Sequence, residues 1–297
     1  MTQTLSTLNT TFALGNSLRF TETVPGLPVA EISTPLATAS VALHGAHVLS
    51  WQPAGQAPVI WVSKAAIFEL GKPVRGGVPL CWPWFGPLAD KPMHGFVRTM
   101  VWQVRGAELD ASGQLVLRLG LTDDASTRAL WDFAFDLELV VTVGSTLTIA
   151  LTTRNTGDVS FSINQALHTY FATSDIRRTT VQGLAGGSYI DKVQNFAVCQ
   201  QAGDVVFTGE TDRIYTDTTA DSLIVDGVTG RRIRITKQGS ASTVVWNPWT
   251  DKEKNIVDMA AGEHRQMVCV ETCNAGPDSI SIPAGVVHTL AATISVA

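Results

Sequence analysis

Charged side chains are scarce in this sequence of 297 residues, where Asp, Glu, Lys and Arg together make up 16%. The 26 acidic residues outnumber the 21 basic ones, which gives a formal net charge of -5. This balance argues against a protein that binds nucleic acid, because such binding depends largely on Lys and Arg. Hydrophobic residues reach 45%, enough for a large core, and we expect residues 1–297 to form one domain.

Cysteine is also rare, with only four residues in the chain: Cys81, Cys199, Cys269 and Cys273. They are too few and too scattered for a disulfide scaffold. Cys269 and Cys273 lie in an apolar run typical of a strand, in which four residues span about 13 Å. That span is too long for a disulfide or for two ligands of one zinc ion. We therefore expect packed, reduced thiols and a cytoplasmic protein.

Targeting signals and long apolar runs are missing as well. The first fifteen residues contain no basic stretch and no long apolar stretch. No segment reaches the roughly 18 consecutive apolar residues that are typical of a membrane helix. We therefore expect neither a signal peptide nor a membrane partner.

Several familiar catalytic motifs are absent too. The sequence contains no Gly-x-Ser-x-Gly elbow, no His-Glu-x-x-His, no P-loop and no Gly-x-Gly-x-x-Gly before a helix. His44 and His47 are three residues apart and would point to opposite faces of a regular strand, so we interpret them as structural. Nothing in the sequence demands a metal ion or a cofactor, and we predict neither.

Alternation of apolar and polar residues is abundant. The longest alternating row covers residues 133–143, and shorter rows cover 115–121, 147–151 and 232–235. A period of two is the pattern of half-buried antiparallel strands. The one helical pattern is short, at residues 126–131. Strands without long helices between them predict an all-β sandwich rather than a βαβ fold.

One long segment, residues 75–98, breaks this strand rhythm. It contains four prolines and the aromatic residues Trp82, Trp84, Phe85 and Phe96. A rigid, turn-rich loop of this length is uncommon without a function, and aromatic faces pack well on the C–H faces of sugars. The alternative is a long loop that folds onto the core through its own aromatic side chains.

Two polar residues occupy apolar surroundings. Glu271 interrupts the apolar run 268–273, and burial there would raise its pKa toward the range of a general base. His168 lies among apolar neighbours in residues 164–171. The residues alone leave other interpretations open. Glu271 could pair with an arginine or point to solvent from an edge strand, and His168 could be a core histidine whose hydrogen bonds are satisfied.

These segments together resemble the signature of the glucose-6-phosphate 1-epimerases, which are hexose-6-phosphate mutarotases of the aldose 1-epimerase superfamily. The matching segments, in family order, are Gly45-Ala-His-Val-Leu-Ser-Trp51, Arg75-Gly-Gly-Val-Pro-Leu-Cys-Trp-Pro-Trp-Phe-Gly-Pro87, His94-Gly-Phe-Val-Arg98, Ala166-Leu-His-Thr-Tyr-Phe171, Tyr189-Ile-Asp-Lys-Val193, Val245-Trp-Asn-Pro-Trp249 and Val268-Cys-Val-Glu-Thr272. The resemblance implies a large antiparallel β-sandwich of the galactose mutarotase kind, with few short helices and the sugar on a concave face.

The resemblance also implies the chemistry. His168 matches the catalytic acid of the family and Glu271 its catalytic base. The base takes the proton from the anomeric hydroxyl while the acid protonates the ring oxygen, so that the ring opens and then closes on either carbonyl face. The implied activity is the interconversion of α and β anomers of a hexose 6-phosphate, glucose 6-phosphate above all.

Four further residues are assigned to substrate binding by the same resemblance. Arg75 and Arg98 match arginines that face the phosphate and the sugar. If the loop between them folds back as a lid, both guanidinium groups could bind one phosphate. Asp191 matches a substrate-binding aspartate, and His94 lines the pocket.

The chain departs from the family pattern at Met93, where relatives often carry Gln, and at Thr99, where they often carry Asn. These departures bear on which hexose is preferred. Three other functions remain to be weighed: a non-catalytic sugar-binding or sugar-sensing domain, an epimerase of unphosphorylated aldoses, and a glycosidase. A glycosidase would need a second carboxylate about 5 to 9.5 Å from Glu271, for which Asp191 is the only candidate. We expect a monomer.

Overall fold

The protein, described for residues 3–297 by a computed structural model, consists mainly of antiparallel strands with three short α-helices. The helices are α1 (Leu5–Phe12), α2 (Ala125–Leu130) and α3 (Trp249–Glu253). The strands are β1 (Leu18–Val24), β2 (Leu27–Ser33), β3 (Ala37–Ala42), β4 (His47–Pro53), β5 (Leu80–Cys81), β6 (Gln103–Leu109), β7 (Leu115–Thr122), β8 (Phe135–Val143), β9 (Thr146–Asn155), β10 (Phe161–Ile163), β11 (Gln165–Leu167), β12 (Tyr170–Ala172), β13 (Thr179–Gln182), β14 (Ser188–Asp191), β15 (Ala197–Gln200), β16 (Val205–Val206), β17 (Thr211–Tyr215), β18 (Ser222–Asp226), β19 (Arg232–Gln238), β20 (Ser242–Asn247), β21 (Met267–Asn274), β22 (Ile280–Ile282) and β23 (Val287–Val296).

Two large sheets form the framework. The nine-stranded sheet has the order β16-β13-β18-β19-β23-β9-β8-β7-β6. The eight-stranded sheet has the order β15-β14-β17-β20-β21-β11-β5, and β12 also pairs with β21. Strands β1 to β4 form a smaller sheet in chain order, and β10 pairs with β22. This architecture confirms the antiparallel all-β fold predicted from the alternating sequence.

The alternating rows explain how the two large sheets stack. Leu137, Leu139 and Val141 of β8 are fully buried, while the residues between them are only half-buried. They belong to the same apolar cluster as Val268 and Val270 of the eight-stranded sheet. Each sheet thus contributes one apolar face to a shared core, as in a β-sandwich.

Helices α1 and α2 differ in how well the sequence predicts them. Helix α2 confirms the predicted helical segment, and Asp124 caps it by accepting hydrogen bonds from the backbone N–H groups of Ser126 and Thr127. Helix α1 is absent from the sequence-based prediction because its Ser, Thr and Asn residues have no strong helix propensity. It is anchored instead by Asn9, whose side chain bonds both the N–H and the C=O of Phe20.

None of the helices among residues 3–297 is both long and apolar enough to cross a membrane.

Candidate active site

Strand β21 carries the predicted base and is buried along its entire length. Its alternate residues serve two different layers, because successive side chains of a strand point to opposite faces. Val268 and Val270 join the core between the sheets, whereas Cys269 and Cys273 join a second apolar cluster on the other side. Glu271 shares the face of these two cysteines. We call this side of the eight-stranded sheet the site face.

His168 lies directly opposite Glu271 on the neighbouring strand pair. Leu167 pairs with Thr272 and Tyr170 pairs with Cys269, and this common register on both sides of residues 168–169 brings His168 opposite Glu271. Nε2 of His168 is 3.4 Å from Oε1 of Glu271. The structure therefore brings together the two residues predicted to act as acid and base.

Aromatic rings fix the orientation of this imidazole. His168 stacks on Tyr170 with ring centroids 5.0 Å apart and an interplanar angle of 11°. Two further rings, those of His94 and Trp246, approach it edge-on at 5.7 and 6.0 Å. The imidazole is thus confined on several sides before any ligand binds.

Each member of the pair keeps one buried polar atom free. Neither Nδ1 of His168 nor Oε2 of Glu271 has a hydrogen-bond partner among residues 3–297. Unpaired buried polar atoms are costly, and in native proteins they often mark functional sites. Both atoms are therefore available to a bound substrate.

Burial shifts the two pKa values in opposite directions. It raises the pKa of Glu271 well above its ordinary value, and the nearby charge of Asp212 raises it further while Lys192 opposes the shift. Burial also lowers the pKa of His168, and His94 and Arg98 add to this effect. In the absence of a ligand, burial therefore favours the neutral form of each group.

The segment 75–98 is not the lid that the sequence suggested. Leu80 and Cys81 of this segment form β5, which pairs with β11 as the edge strand of the eight-stranded sheet. Trp82 is fully buried and donates a hydrogen bond from Nε1 to Oγ1 of Thr153 in the other sheet, at 3.1 Å. Trp84 and Phe96 are buried as well, so the packing of these aromatic residues follows the alternative that the sequence left open.

His94 lies at the turn of this segment and reaches the site. Its φ is +62°, and its Nδ1 accepts a hydrogen bond from the N–H of Gly86 at 3.1 Å. The ring packs against Phe85 at a centroid distance of 4.9 Å. Burial, together with the charges of Arg98 and Lys192, lowers the pKa of His94 to about 3. It is thus a neutral ring at the edge of the site.

The two predicted arginines have different partners. Nε of Arg75 donates to Oδ1 of Asp258 at 3.1 Å, and its Nη1 donates to the hydroxyl of Tyr170 at 3.0 Å. Arg98 donates from Nη2 to the carbonyl of Met93 at 2.6 Å, and its buried Nε has no partner among residues 3–297. Arg75 is therefore held by an ion pair, while Arg98 retains a free donor.

Asp191, predicted to bind substrate, is not brought to the site face. It pairs with Arg213 of β17. Asp191 lies on the same face of the sheet as Tyr189 and Tyr215, whose rings pack into the core between the two large sheets. Its carboxylate accepts hydrogen bonds from the N–H groups of Val193 and Gln194 at 3.0 and 3.2 Å and stabilises the turn after β14.

Asp212 is the aspartate that lies on the site face. It is opposite Trp246, which in turn is opposite Cys269. Its carboxylate oxygens lie 2.8 and 3.0 Å from Nζ of Lys192. The sequence analysis missed both residues of this pair. The segment Tyr189–Val193 contained a signal for Lys192, because residues next to each other in a strand face opposite sides and Lys192 follows Asp191 directly.

Three side chains on the site face have metal-binding atoms close together. One ligand atom each of His168, Cys269 and Glu271 lies within 4.8 Å of the others. All four cysteines are free, and Cys269 and Cys273 are buried in one unbroken strand.

This chain is similar in sequence to known proteins that carry an epimerase name. A protein of Escherichia coli K12, provisionally named a glucose-6-phosphate 1-epimerase, is 38% identical over 247 residues, which are 82% of each chain. A protein of the plant Cenchrus ciliaris with the same provisional name is 32% identical over 78% of this chain and 74% of its own.

Solved structures share the fold. A Salmonella typhimurium protein provisionally described as a mutarotase superposes with a TM-score of 0.90 at 34% identity, over 96% of this chain and 95% of its own. A galactose mutarotase-related protein of Lactobacillus acidophilus is only 12% identical but has a TM-score of 0.71 over 90% and 96% of the two chains. Its likeness concerns the fold alone. The family model described as aldose 1-epimerase matches residues 28–295, and the chain therefore belongs to the aldose 1-epimerase family.

Proposed function

We propose that this protein interconverts the α and β anomers of a hexose 6-phosphate, glucose 6-phosphate above all, by acid–base ring opening. The observation that carries the proposal is the His168–Glu271 pair, whose members face each other at 3.4 Å and each keep a free polar atom. A protein that only binds sugars has no need of a buried acid beside a buried base. The provisional names of the bacterial and plant relatives support the same reaction.

The two residues divide the proton transfers between them. Glu271 as carboxylate accepts the proton of the anomeric hydroxyl, and protonated His168 donates to the ring oxygen. The bond between C1 and the ring oxygen breaks, and the open-chain aldehyde rotates about C1–C2. Ring closure runs the same transfers in reverse. Positioned acid–base groups typically contribute about 10² to 10⁴-fold each to the rate.

Substrate binding would shift a proton from Glu271 to His168. Arg98 and Arg75 are among the charges that lower the pKa of His168 in the free protein. A bound phosphate dianion would offset these positive charges and so raise the pKa of the imidazole. The total number of protons on the pair stays the same. The phosphate thereby favours the state with a Glu271 carboxylate and a protonated His168, which the mechanism requires.

Arg98 is the cation best suited to hold the phosphate, because its Nε has no partner among residues 3–297. Lys192 lies at the edge of the site, 6.0 Å from the ring centroid of Phe85, but is paired with Asp212. Arg75 is already bound to Asp258 and Tyr170, so we assign it mainly to supporting Tyr170 under the imidazole of His168. The substrate-binding aspartate in this proposal is Asp212 instead of Asp191.

The relatives provisionally named glucose-6-phosphate 1-epimerases disfavour one alternative, an aldose 1-epimerase that acts on unphosphorylated sugars. A glycosidase is disfavoured, because Asp191 faces the core and the remaining carboxylate near Glu271, that of Asp212, is paired with Lys192.

Magnetisation-exchange NMR on α-glucose 6-phosphate, glucose and galactose tests the proposal. We expect turnover of the phosphorylated sugar to exceed that of the free sugars. Arg98→Ala should lower the catalytic efficiency for glucose 6-phosphate by about 10 to 100-fold, since a charge-assisted bond contributes about 1.5–3 kcal/mol. Arg98→Lys, which keeps the charge, should lose less. Equal wild-type efficiency on phosphorylated and free hexose would contradict the phosphate assignment.

We also infer a cytoplasmic monomer. The four free thiols fit a reducing compartment. Light scattering of the purified protein at micromolar concentration measures the oligomeric state, and a dimeric mass would contradict this inference.

A further inference from the structure

Cys269 is a buried thiol beside the catalytic pair that the proposed mechanism does not use. It precedes Glu271 by two residues on β21, so both side chains extend from the site face. In the register it lies between Tyr170 on one neighbouring strand and Trp246 on the other. Its exposure is 0%. The thiol therefore lies beneath the two rings that confine His168.

These three side chains offer one nitrogen, one sulfur and one oxygen ligand. Their ligand atoms lie within 4.8 Å of one another, and the closest pair, Nε2 of His168 and Oε1 of Glu271, is 3.4 Å apart. Zinc bonds of about 2.0 to 2.3 Å allow two ligand atoms to lie about 3.3 to 4 Å apart. The spacing of the three ligand atoms is thus close to that of a zinc site, and metal binding would draw the widest pair together.

Two polar atoms of the triplet are buried without a hydrogen-bond partner in the described part of the chain. Oε2 of Glu271 and Nδ1 of His168 are buried and make no hydrogen bond within residues 3–297. Glu271 is 1% exposed and His168 9%. A carboxylate and a thiolate would together neutralise a divalent cation, which removes the cost of burying either charge alone.

We propose that His168, Cys269 and Glu271 form a reversible binding site for Zn²⁺ that inhibits the enzyme. Three protein ligands leave a fourth position open to water or to a sugar hydroxyl, as zinc commonly allows. Metal binding requires a thiolate and a carboxylate, so zinc competes with protons for Cys269 and Glu271. The ion then occupies both groups that transfer protons in the reaction.

The chain offers a matched control in Cys81, another fully buried cysteine close enough to Glu271 for their charges to interact. It lies on β5, next to Ala166 of β11, and is not part of the triplet. Replacement of Cys81 by Ala removes one buried thiol without removing a proposed ligand. A specific effect of Cys269 can therefore be separated from the general effect of losing a core sulfur.

Direct metal binding tests the proposal without reference to activity. Reduced wild-type protein is titrated with Zn²⁺ by calorimetry and with Co²⁺ by absorption spectroscopy. We expect one ion per chain and a sulfur-to-cobalt charge-transfer band. Cys269→Ala should lose the band and weaken zinc binding by at least about 100-fold, because even residues outside the ligand set often contribute 10–100-fold. Cys81→Ala should bind as the wild type does.

Each remaining outcome decides against the site. Absence of zinc binding, a cobalt spectrum without a thiolate band, or unchanged affinity in Cys269→Ala would overturn the proposal. If Cys269→Ala fails to fold by circular dichroism, Cys269→Ser and the wild-type cobalt spectrum still test for sulfur ligation.

The inhibition itself rests on the proposed function and is measured separately. Zinc should stop anomer exchange by the wild type, and a chelator should restore it fully. Cys269→Ala should keep its exchange rate at zinc concentrations that silence both the wild type and Cys81→Ala. A wild type that binds zinc but shows no exchange at all would refute the epimerase assignment and leave the metal site intact. A rate unaffected by bound zinc would refute the inhibition.

Discussion

A buried carboxyl group and a buried imidazole face each other at the centre of this site. Burial disfavours the charged form of both, so it raises the pKa of Glu271 and lowers that of His168 in the free protein. In the proposed mechanism, an anionic substrate favours transfer of a proton to His168. The two side chains proposed to carry out catalysis are therefore also the ones whose charges are disfavoured by burial.

The first prediction concerns catalysis by this pair. Glu271→Gln and His168→Asn should each lower the anomer exchange rate by at least about 10²-fold, because each removes one proton-transfer group. Saturation-transfer NMR on glucose 6-phosphate measures the rate, and circular dichroism checks the fold. Near wild-type rates in both variants would rule out the assigned roles.

Asp191→Asn provides the control for that experiment. Asn can still accept the backbone hydrogen bonds from Val193 and Gln194, and the side chain faces away from Glu271. We expect this variant to keep a rate close to that of the wild type, whereas Asp212→Asn should not. The reverse result would favour the role that the family resemblance gave to Asp191.

The second prediction concerns stability and its pH dependence. Since the folded state raises the pKa of Glu271, it binds this proton more tightly than the unfolded chain does. The contribution of Glu271 to wild-type stability therefore falls as pH rises above about 4.5, by up to about 1.4 kcal/mol per pH unit. Glu271→Gln lacks this loss, so it should be more stable than the wild type at pH 8 and lose its advantage toward pH 4.5. Urea midpoints across this range measure the difference. Parallel pH curves for the two proteins would contradict it.

At the scale of elements, the segment from Arg75 to Arg98 is built into the sheet by close backbone contacts. A Cβ atom at Gly95 would lie 1.8 Å from the carbonyl oxygen of Trp82, whereas one at Gly86 would have no neighbour within 4 Å. Both glycines have positive φ, +75° and +87°. The two positions therefore differ in packing but share the same backbone requirement.

The third prediction uses this difference. Gly86→Ala should cost about 1–2 kcal/mol of unfolding free energy for the left-handed backbone alone. Gly95→Ala should cost about 1–3 kcal/mol more, because it also forces Trp82 away from its place. It should lower the exchange rate as well, since His94 adjoins Gly95. Chemical denaturation and kinetic assays compare the two variants. Equal loss of unfolding free energy in Gly86→Ala and Gly95→Ala would mean that the segment moves to accommodate the added Cβ atom, as a mobile lid would.

The strands were the predictable elements. Residues 133–143 alternate in sequence, and β8 buries every second residue from Phe135 to Val143, because one face is polar and the other packs in the core. The role of the segment 75–98 was not predictable, since two residues in a short edge strand, Leu80 and Cys81, carry no periodic signal.

The site was predictable in part. The pairing of His168 with Glu271 followed from the family resemblance. The choice between Asp191 and Asp212 required knowing which face of β14 and β17 lines the site, and sequence periodicity does not give that. The ion pair between Arg75 and Asp258 joins residues far apart in the chain, and no local pattern indicates it.

At the scale of the whole molecule, burial of neutral histidines sets the response to acid. Burial lowers the pKa of His47 to about 4, although Gly76 favours the charged form by accepting a hydrogen bond at 2.7 Å. The pKa of His94 falls to about 3 for the same main reason. Between these values and 6.5 the unfolded chain binds more protons than the folded one.

The fourth prediction follows from this difference in proton binding. The contribution of each such histidine to stability should decline as pH falls from 6.5 toward 4, by up to about 1.4 kcal/mol per pH unit, which opposes the contribution of Glu271. His47→Gln keeps a hydrogen-bond donor but cannot titrate, so its stability should depend less steeply on pH. Guanidinium unfolding at pH 7, 6 and 5 measures both slopes. Identical slopes would show that His47 titrates normally in the folded protein.

We propose that residues 1–297 behave as one domain. A single cluster of buried apolar residues extends from Leu8 in α1 to Ile294 in β23 and takes members from both large sheets. Calorimetry should therefore give one transition whose calorimetric and van't Hoff enthalpies agree.

The position of β21 inside its sheet has a consequence for how the protein loses activity on heating. This strand has partners on both sides, β20 on one and β11 with β12 on the other, so the amides around Glu271 exchange with solvent only when the molecule opens globally. A catalytic group on a mobile loop can be lost while the remainder of a protein survives. Here the half-life of activity at high temperature should equal the half-life of the folded state. Every molecule that remains active should therefore still be fully folded.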